Sequence, residues 1–156
     1  MPNHIIRGCD WLHAVLAPAQ ALPALATRGI LAWVFIPAGW GKLHDLDSVI
    51  GYFRQLHIPA PELQAPVVAA LELLCGVLLA LGLATRVASL VLIGILAVAI
   101  VTAVWEPGSD PRAFIIGTDE VAYIVMLAWL ATAGAGLVSL DHAIGAWRRR
   151  QAPISE

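Results

Sequence analysis

The chain has 156 residues, of which 60% are hydrophobic and only 13% are charged, and its formal net charge is −2. Soluble domains contain about 45–50% apolar and about 25% charged residues, so too few charges are present here to surround an apolar core with a polar shell. The composition therefore excludes a soluble enzyme. The scattered basic residues and slight negative charge also give no reason to expect nucleic acid as a partner.

The N-terminal stretch has no continuous apolar run behind a basic start, so it does not indicate a cleaved signal peptide. We assign residues 1–21 to a cytoplasmic or juxtamembrane segment. The next part of the chain, residues 22–140, is expected to form the membrane domain. Residues 141–156 form a basic tail.

Four stretches of the membrane domain are long and apolar enough to cross a bilayer. Each crossing needs about 20 mostly apolar residues, because about 30 Å of hydrocarbon is covered at about 1.5 Å per residue. The four predicted spans are Leu22–Gly41, Ala65–Ala84, Val87–Trp105 and Val121–Leu140. The predicted fold is thus an all-α transmembrane four-helix bundle.

Two local features refine this prediction. Pro37 lies inside the first span, where neighbouring helices satisfy the freed carbonyl group, and we expect a kink there. The segment from Leu43 to Gln64 is too long for a tight turn. It predicts a short interfacial helix with Tyr52, Phe53 and Leu56 on its apolar side.

Basic residues predict the orientation of the bundle, because cytoplasmic loops carry an excess of lysine and arginine. Arg7, Arg86 and the run Arg148–Arg150 fall on one side, which places both termini in the cytoplasm. The opposite loops also contain basic residues: Lys42, Arg54 and Arg112. The tryptophans at the expected interfaces are Trp40 and Trp105 outside and Trp147 inside.

Glu72 is the residue whose position is most costly, since a charge at mid-membrane costs about 2.5–3.5 kcal/mol on insertion scales. It should face the interior of the bundle and have a partner or hold a proton. Its predicted helix face is a stripe of small residues that allows another helix to approach closely. The stripe comprises Ala65, Ala69, Glu72, Gly76 and Ala80.

The first span supplies basic partners on one face, which comprises Arg28, Ala32, Phe35, Gly39 and Lys42. By depth, Lys42 is the better partner for Glu72, provided that its long side chain reaches inward. Arg28 and Arg86 should lie near the cytoplasmic surface, where they would either bind a ligand or anchor the helices. The alternative for the pair at Glu72 is a purely structural role, in which the two charges only fix the packing of the helices.

Other reactive residues show no pattern of a metal or redox site. Cys9 and Cys75 fall at different depths, so no disulfide is expected between them, because the Cα atoms must lie within about 7 Å. Neither cysteine belongs to a CxxC or zinc-type motif. His44 and His57 lie in an outer loop without a known ligand spacing, so we predict a solvated surface and no metal.

Three stretches resemble the DoxX family. They are RGILAWVFIPAGWGKL, with Arg28, Gly39 and Lys42; YFRQLHIPAPELQAPVVAALELLCGVLLALGLATR, with Glu72, Gly76 and Arg86; and the apolar span that follows. The resemblance covers residues 28–105 and implies a four-helix protein of the bacterial cytoplasmic membrane. It also implies a link to membrane redox systems, such as the small subunit of a thiosulfate:quinone oxidoreductase or complexes that handle thiols.

We therefore expect a membrane subunit of a quinone- or thiol-linked redox system, with oxidoreductase subunits as partners and a membrane quinone as the expected substrate. Glu72 is the predicted catalytic residue, and the predicted binding residues are Arg28, Gly39, Lys42, Gly76 and Arg86. No haem, flavin or iron–sulfur signature occurs, so independent catalysis is not predicted. The alternatives are a carrier or channel for a small solute, in which a homodimer would double the spans, and a non-catalytic anchor for soluble oxidoreductases.

Overall fold

A computed structural model of the chain describes residues 21–104 and 110–151, and the regular structure in these ranges is helical. The helices are α1 Ala21–His44, α2 Leu46–Gln55, α3 Pro61–Leu81, α4 Thr85–Ala99, α5 Pro111–Gly117, α6 Asp119–Ala133 and α7 Leu140–Gln151. A π-helical turn, Ile100–Val104, extends α4. The all-α class predicted from the sequence is thus confirmed.

Three helical segments are long and apolar enough to cross a membrane: Leu22–His44, Pro61–Leu81 and Thr85–Val104. At about 1.5 Å per residue they measure roughly 30–35 Å, the thickness of the hydrocarbon layer. Helix α1 continues through Pro37 to His44. These segments agree in position with the first three predicted spans.

Helices α1 and α3 run antiparallel and approach each other closely. Gly39 lies against the backbone of α3, where an added Cβ would stand 2.4 Å from the backbone nitrogen of Leu73 and 2.8 Å from the carbonyl oxygen of Ala69. One turn further along, a Cβ on Gly76 would meet the backbone nitrogen of Ile36 at 3.0 Å. Small residues therefore let the two backbones touch. Of the predicted small stripe on α3, Ala80 alone is exposed.

The predicted short helix between the first two spans is confirmed as α2. Its first turn is capped by the side chain of Asp45, which accepts a hydrogen bond from the backbone N–H of Ser48. The helix is amphipathic and none of its residues is fully buried. It lies against α3, and the chain returns to α3 through two non-glycine residues with positive φ, His57 at 57° and Ala60 at 48°.

The fourth predicted span, Val121–Leu140, requires a correction. Helix α6 begins at Asp119 and ends after 15 residues at Ala133, which gives it a length of about 22 Å. Two glycines with positive φ follow, Gly134 at 84° and Gly136 at 77°, and they interrupt the helix. Hydropathy continues across this break, so the apolar pattern alone extended the span too far.

The core lies among α1, α3, α4 and α6, which form the bundle. Its largest fully buried apolar side chains are leucines from all four helices: Leu31, Leu79, Leu92, Leu127 and Leu130. Phe35 of α1 meets Tyr123 of α6 edge to face, with ring centroids 6.2 Å apart. We call the end of the bundle at the α3–α4 turn the arginine end and the opposite end, beside α2, the lysine end.

Candidate functional site

Glu72 and Lys42 form an ion pair near the lysine end, as predicted from their depths. The Lys42 Nζ donates to both carboxylate oxygens of Glu72 at 2.6 Å. Side chains lean toward the N-terminus of their own helix, so in antiparallel helices Glu72 leans toward the lysine end while Lys42 leans away from it. This geometry brings the two charges to the same depth.

The two members of the pair differ in their exposure. The side chain of Glu72 is 6% exposed, whereas that of Lys42 is 36% exposed. A buried ion pair is weak evidence for stability, because desolvation of both charges offsets most of their attraction. The burial of Glu72 therefore depends on its partner, while Lys42 keeps part of its side chain accessible.

Gly39 and Gly76, which were predicted as binding residues, flank this pair in the α1–α3 contact. Their contacts are with protein backbone and with the side chain of Ile36. They act here by letting the helices approach, which sets the distance between Lys42 and Glu72. A direct role in binding a ligand stays a prediction.

A cavity of about 600 Å³ adjoins the ion pair. It lies between α2, α3 and α4, and Lys42 and Glu72 both line it. Besides the ion pair its polar lining is Ser48, Tyr52, Gln64 and Thr102, and its apolar lining includes Val68, Leu71, Val91, Ile95 and Val98. This volume falls in the range of about 300–1,000 Å³ found for small-molecule sites.

The cavity was not predicted from the sequence, although two signals point to it. The sequence predicts an apolar side of α2, with Tyr52, Phe53 and Leu56, but no partner for it. In the structure this side forms one wall of the cavity. Gly94 of α4 leaves space, since a Cβ there would meet nothing within 4 Å. The π-helical turn contributes Thr102 and Ala103 to the same lining; such turns are frequent at functional sites.

Arg28, another predicted binding residue, is at the arginine end and is not brought together with Glu72. It is 2% exposed, and its guanidinium donates to four carbonyl oxygens, two at the end of α3 and two in the loop after α6. These are Leu79 at 2.9 Å, Ala80 at 3.2 Å, Ala135 at 2.7 Å and Val138 at 2.8 Å. The cation thereby satisfies the C-terminal carbonyl groups of α3 and the chain after α6.

Arg86 also lies at the arginine end and is exposed. Its Nη2 donates to the carbonyl oxygen of Thr132 at 3.2 Å. The sequence placed Arg28 and Arg86 at a similar depth, away from Glu72, and both contact the chain around the end of α6. Neither arginine takes part in the ion-pair site, and their roles in binding stay predictions.

The remaining reactive groups add no metal or dithiol site within the described ranges. Residues 21–104 and 110–151 contain no group of three His, Cys, Asp or Glu side chains that could hold a metal ion. Cys75 is buried and free, while Cys9 lies outside the described residues, as do Arg7 and Trp105. His44 stacks on Trp40, with ring centroids 4.4 Å apart.

Together, these features define a small all-α membrane protein with an ion pair on the wall of an apolar cavity. The chain belongs to the DoxX family, since the DoxX family model matches residues 24–105, just over half of its length. The resemblance seen in the sequence is thus confirmed.

A curated relative from Bacillus subtilis (strain 168), named "Putative oxidoreductase CatD", is 31% identical over 119 residues. The match covers 75% of this chain and 83% of the relative. No solved structure matches the chain.

Proposed function

We propose that this protein is a membrane subunit of a redox system in the bacterial cytoplasmic membrane and that its cavity binds the ring of a quinone. The observation that supports this proposal most directly is the Lys42–Glu72 pair on the wall of a cavity of about 600 Å³ that is otherwise mostly apolar. In this proposal α6 and the chain that follows it to Leu140 together make a fourth crossing, and both termini lie in the cytoplasm. The oxidoreductase name of the CatD relative supports a redox role.

The position of the cavity favours a lipid-soluble ligand over a small aqueous solute. Helices α2, α3 and α4 line it, while α6 packs on another face of α4 and contributes none of the lining. Exposed apolar side chains of α4, such as Val98, stand at the cavity and face outward. A quinone tail therefore has an apolar path into the bilayer, which an aqueous carrier would not need.

The chemistry expected of the pair is proton transfer. A quinone that receives two electrons from a reduced cofactor or dithiol of a partner oxidoreductase also takes up two protons and becomes a quinol. Lys42 Nζ can donate a hydrogen bond to a quinone carbonyl oxygen and can pass on a proton that the pair holds. The proton for the second transfer must reach the pair from the lysine end, where the side chain of Lys42 is partly exposed.

Quinone binding can be tested without knowing the partner. The chain in lipid nanodiscs is titrated with short-tailed ubiquinone and menaquinone analogues, and quenching of tryptophan fluorescence is measured. Gly94→Leu fills the cavity at a position where a Cβ meets no other atom, and it should weaken binding more than tenfold. Gly29→Leu is the matched control, because its Cβ also meets nothing within 4 Å and it lies outside the cavity lining.

The outcomes separate the alternatives. Unchanged binding in Gly94→Leu would contradict the quinone site. For the proton role, Glu72→Gln should keep the native complex together in membranes and slow its quinone-dependent turnover at least tenfold. Unchanged turnover would instead favour a structural anchor, and solute flux through liposomes containing only this protein would favour a carrier.

A further inference from the structure

A second cavity lies at the arginine end of the bundle. It is an open cleft of about 370 Å³ between the start of α4, residues 134–136 and the start of α7. The cleft adjoins the turn between α3 and α4, where two segments long enough to cross a membrane both end. Since each segment matches the hydrocarbon thickness, this turn lies at the level of the lipid headgroups.

We propose that this arginine-end cleft binds the phosphate headgroup of an anionic phospholipid, with Arg86 as its main ligand. The proposal concerns a different site from the quinone cavity and does not depend on it. The cleft's polar side chains are Arg86, Ser139, Asp141 and His142.

In the cleft lining the charges of Arg86 and Asp141 cancel, and the buried Arg28 beside them leaves this end of the bundle with one net positive charge. Among the described residues, neither Arg28 nor Arg86 has a carboxylate within ion-pair distance. Asp141 is the acid of the cleft, and its two oxygens accept hydrogen bonds from the backbone N–H groups of Ala84 at 2.8 Å and Thr85 at 3.1 Å. These bonds hold the Asp141 carboxylate at the start of α4, which it caps.

Arg86 has hydrogen-bond donors to spare for an oxyanion. Its Nη2 reaches the carbonyl oxygen of Thr132, and within the described residues Nε and Nη1 make no hydrogen bond. Gly134 lies beside the guanidinium, since a Cβ there would be in ordinary van der Waals contact, 3.5 Å from Nε and 3.7 Å from Nη2. Nη2 carries a second N–H, which together with that of Nε or Nη1 suits the paired oxygens of a phosphate.

The surroundings of the cleft favour a lipid as the source of that phosphate. Val87, which lines the cleft, is 62% exposed, and Leu137 and Val138 beside it are also exposed. These surfaces give acyl chains an apolar path next to the cation. Basic pockets between helices at a membrane surface commonly hold anionic headgroups.

The test uses the full-length chain in a mild detergent, with bound lipids counted by native mass spectrometry. Phosphatidylglycerol should bind at least tenfold more tightly than phosphatidylcholine. Arg86→Gln should lower the affinity for phosphatidylglycerol about fivefold, the effect of one basic residue near an anionic surface. Arg112→Gln removes an equal charge from an exposed position on α5 and should leave the affinity unchanged.

Three further measurements decide the outcome. In wild-type protein the preference for phosphatidylglycerol should fall at 0.5 M salt, because the exposed charges are screened. The salt measurement can be made even if Arg86→Gln fails to fold. A second variant, His142→Asn, changes an exposed residue of the cleft and should weaken lipid binding less than twofold, because Arg86 is the main ligand. Equal binding of both lipids overturns the proposal. Binding of inorganic phosphate with no preference between the lipids also overturns it, in favour of a soluble oxyanion.

Discussion

The unequal exposure of Lys42 and Glu72 predicts that the two charges are not equally costly to remove. Lys42→Met leaves the Glu72 carboxylate, 6% exposed, without its cation. Glu72→Gln leaves an ammonium whose side chain is 36% exposed, and that ammonium can turn toward water on its flexible stem. We therefore expect Lys42→Met to be the more destabilising of the two substitutions.

The magnitude depends on whether the charge that remains is buried. Breaking a buried pair by removing one partner costs about 3–5 kcal/mol when the remaining charge stays buried, which is the loss expected for Lys42→Met. Glu72→Gln should lose about 1 kcal/mol, because the remaining ammonium is partly exposed and loses about as much as a member of a surface pair.

The assay is equilibrium unfolding in mixed micelles at pH 7. The double variant Lys42→Met/Glu72→Gln carries neither charge and should be within about 1 kcal/mol of wild type. The reasoning is refuted if Glu72→Gln is the less stable single variant, or if the double variant is less stable than Lys42→Met.

Two further predictions concern the contacts that hold the bundle. Gly39→Ala places a Cβ 2.4 Å from the backbone of α3 and should lower the free energy of unfolding by about 1–3 kcal/mol in the same assay. Gly41→Ala, whose Cβ meets nothing within 4 Å, is the control and should be neutral or slightly stabilising. Equal effects of the two substitutions would contradict the close contact between α1 and α3. The Arg28→Lys variant should accumulate in membranes at a much lower level than wild type, because an ammonium cannot reach four carbonyl groups from two segments. Normal levels of folded Arg28→Lys on a size-exclusion profile would show that the carbonyl contacts contribute little to stability.

Much of the membrane fold could be predicted because the bilayer restricts it strongly. Apolar length alone locates three helices, since backbone groups in lipid must be satisfied within a helix. The partnership of Lys42 with Glu72 also followed from sequence, because span boundaries fix depth and an isolated acid in a span needs a partner. These inferences use one-dimensional distances along the helix axes, which sequence supplies directly.

The end of α6 could not be predicted, because it depends on a residue far away in the chain. Gly134 and Gly136 adopt positive φ, which glycine permits without requiring it. What stabilises the break is Arg28, whose guanidinium binds the carbonyl oxygens of Ala135 and Val138. No local pattern records a contact between residues more than 100 positions apart. The cavity was missed for a similar reason, since it is a gap left by three elements and no single motif encodes it.

Arg28 at the arginine end and Lys42 at the lysine end are stabilised by different kinds of partner, and this difference bears on their function. The hydrogen bonds of Arg28 all go to backbone carbonyl groups, so a ligand could approach it only by displacing the end of α3 or the loop after α6. Lys42 has one carboxylate partner and an open side that faces a cavity. A charge enclosed by backbone serves the fold, whereas a charge pair at a cavity wall remains available to a bound molecule. That availability is why Lys42 and Glu72, rather than the more deeply buried Arg28, are the residues we assign to chemistry.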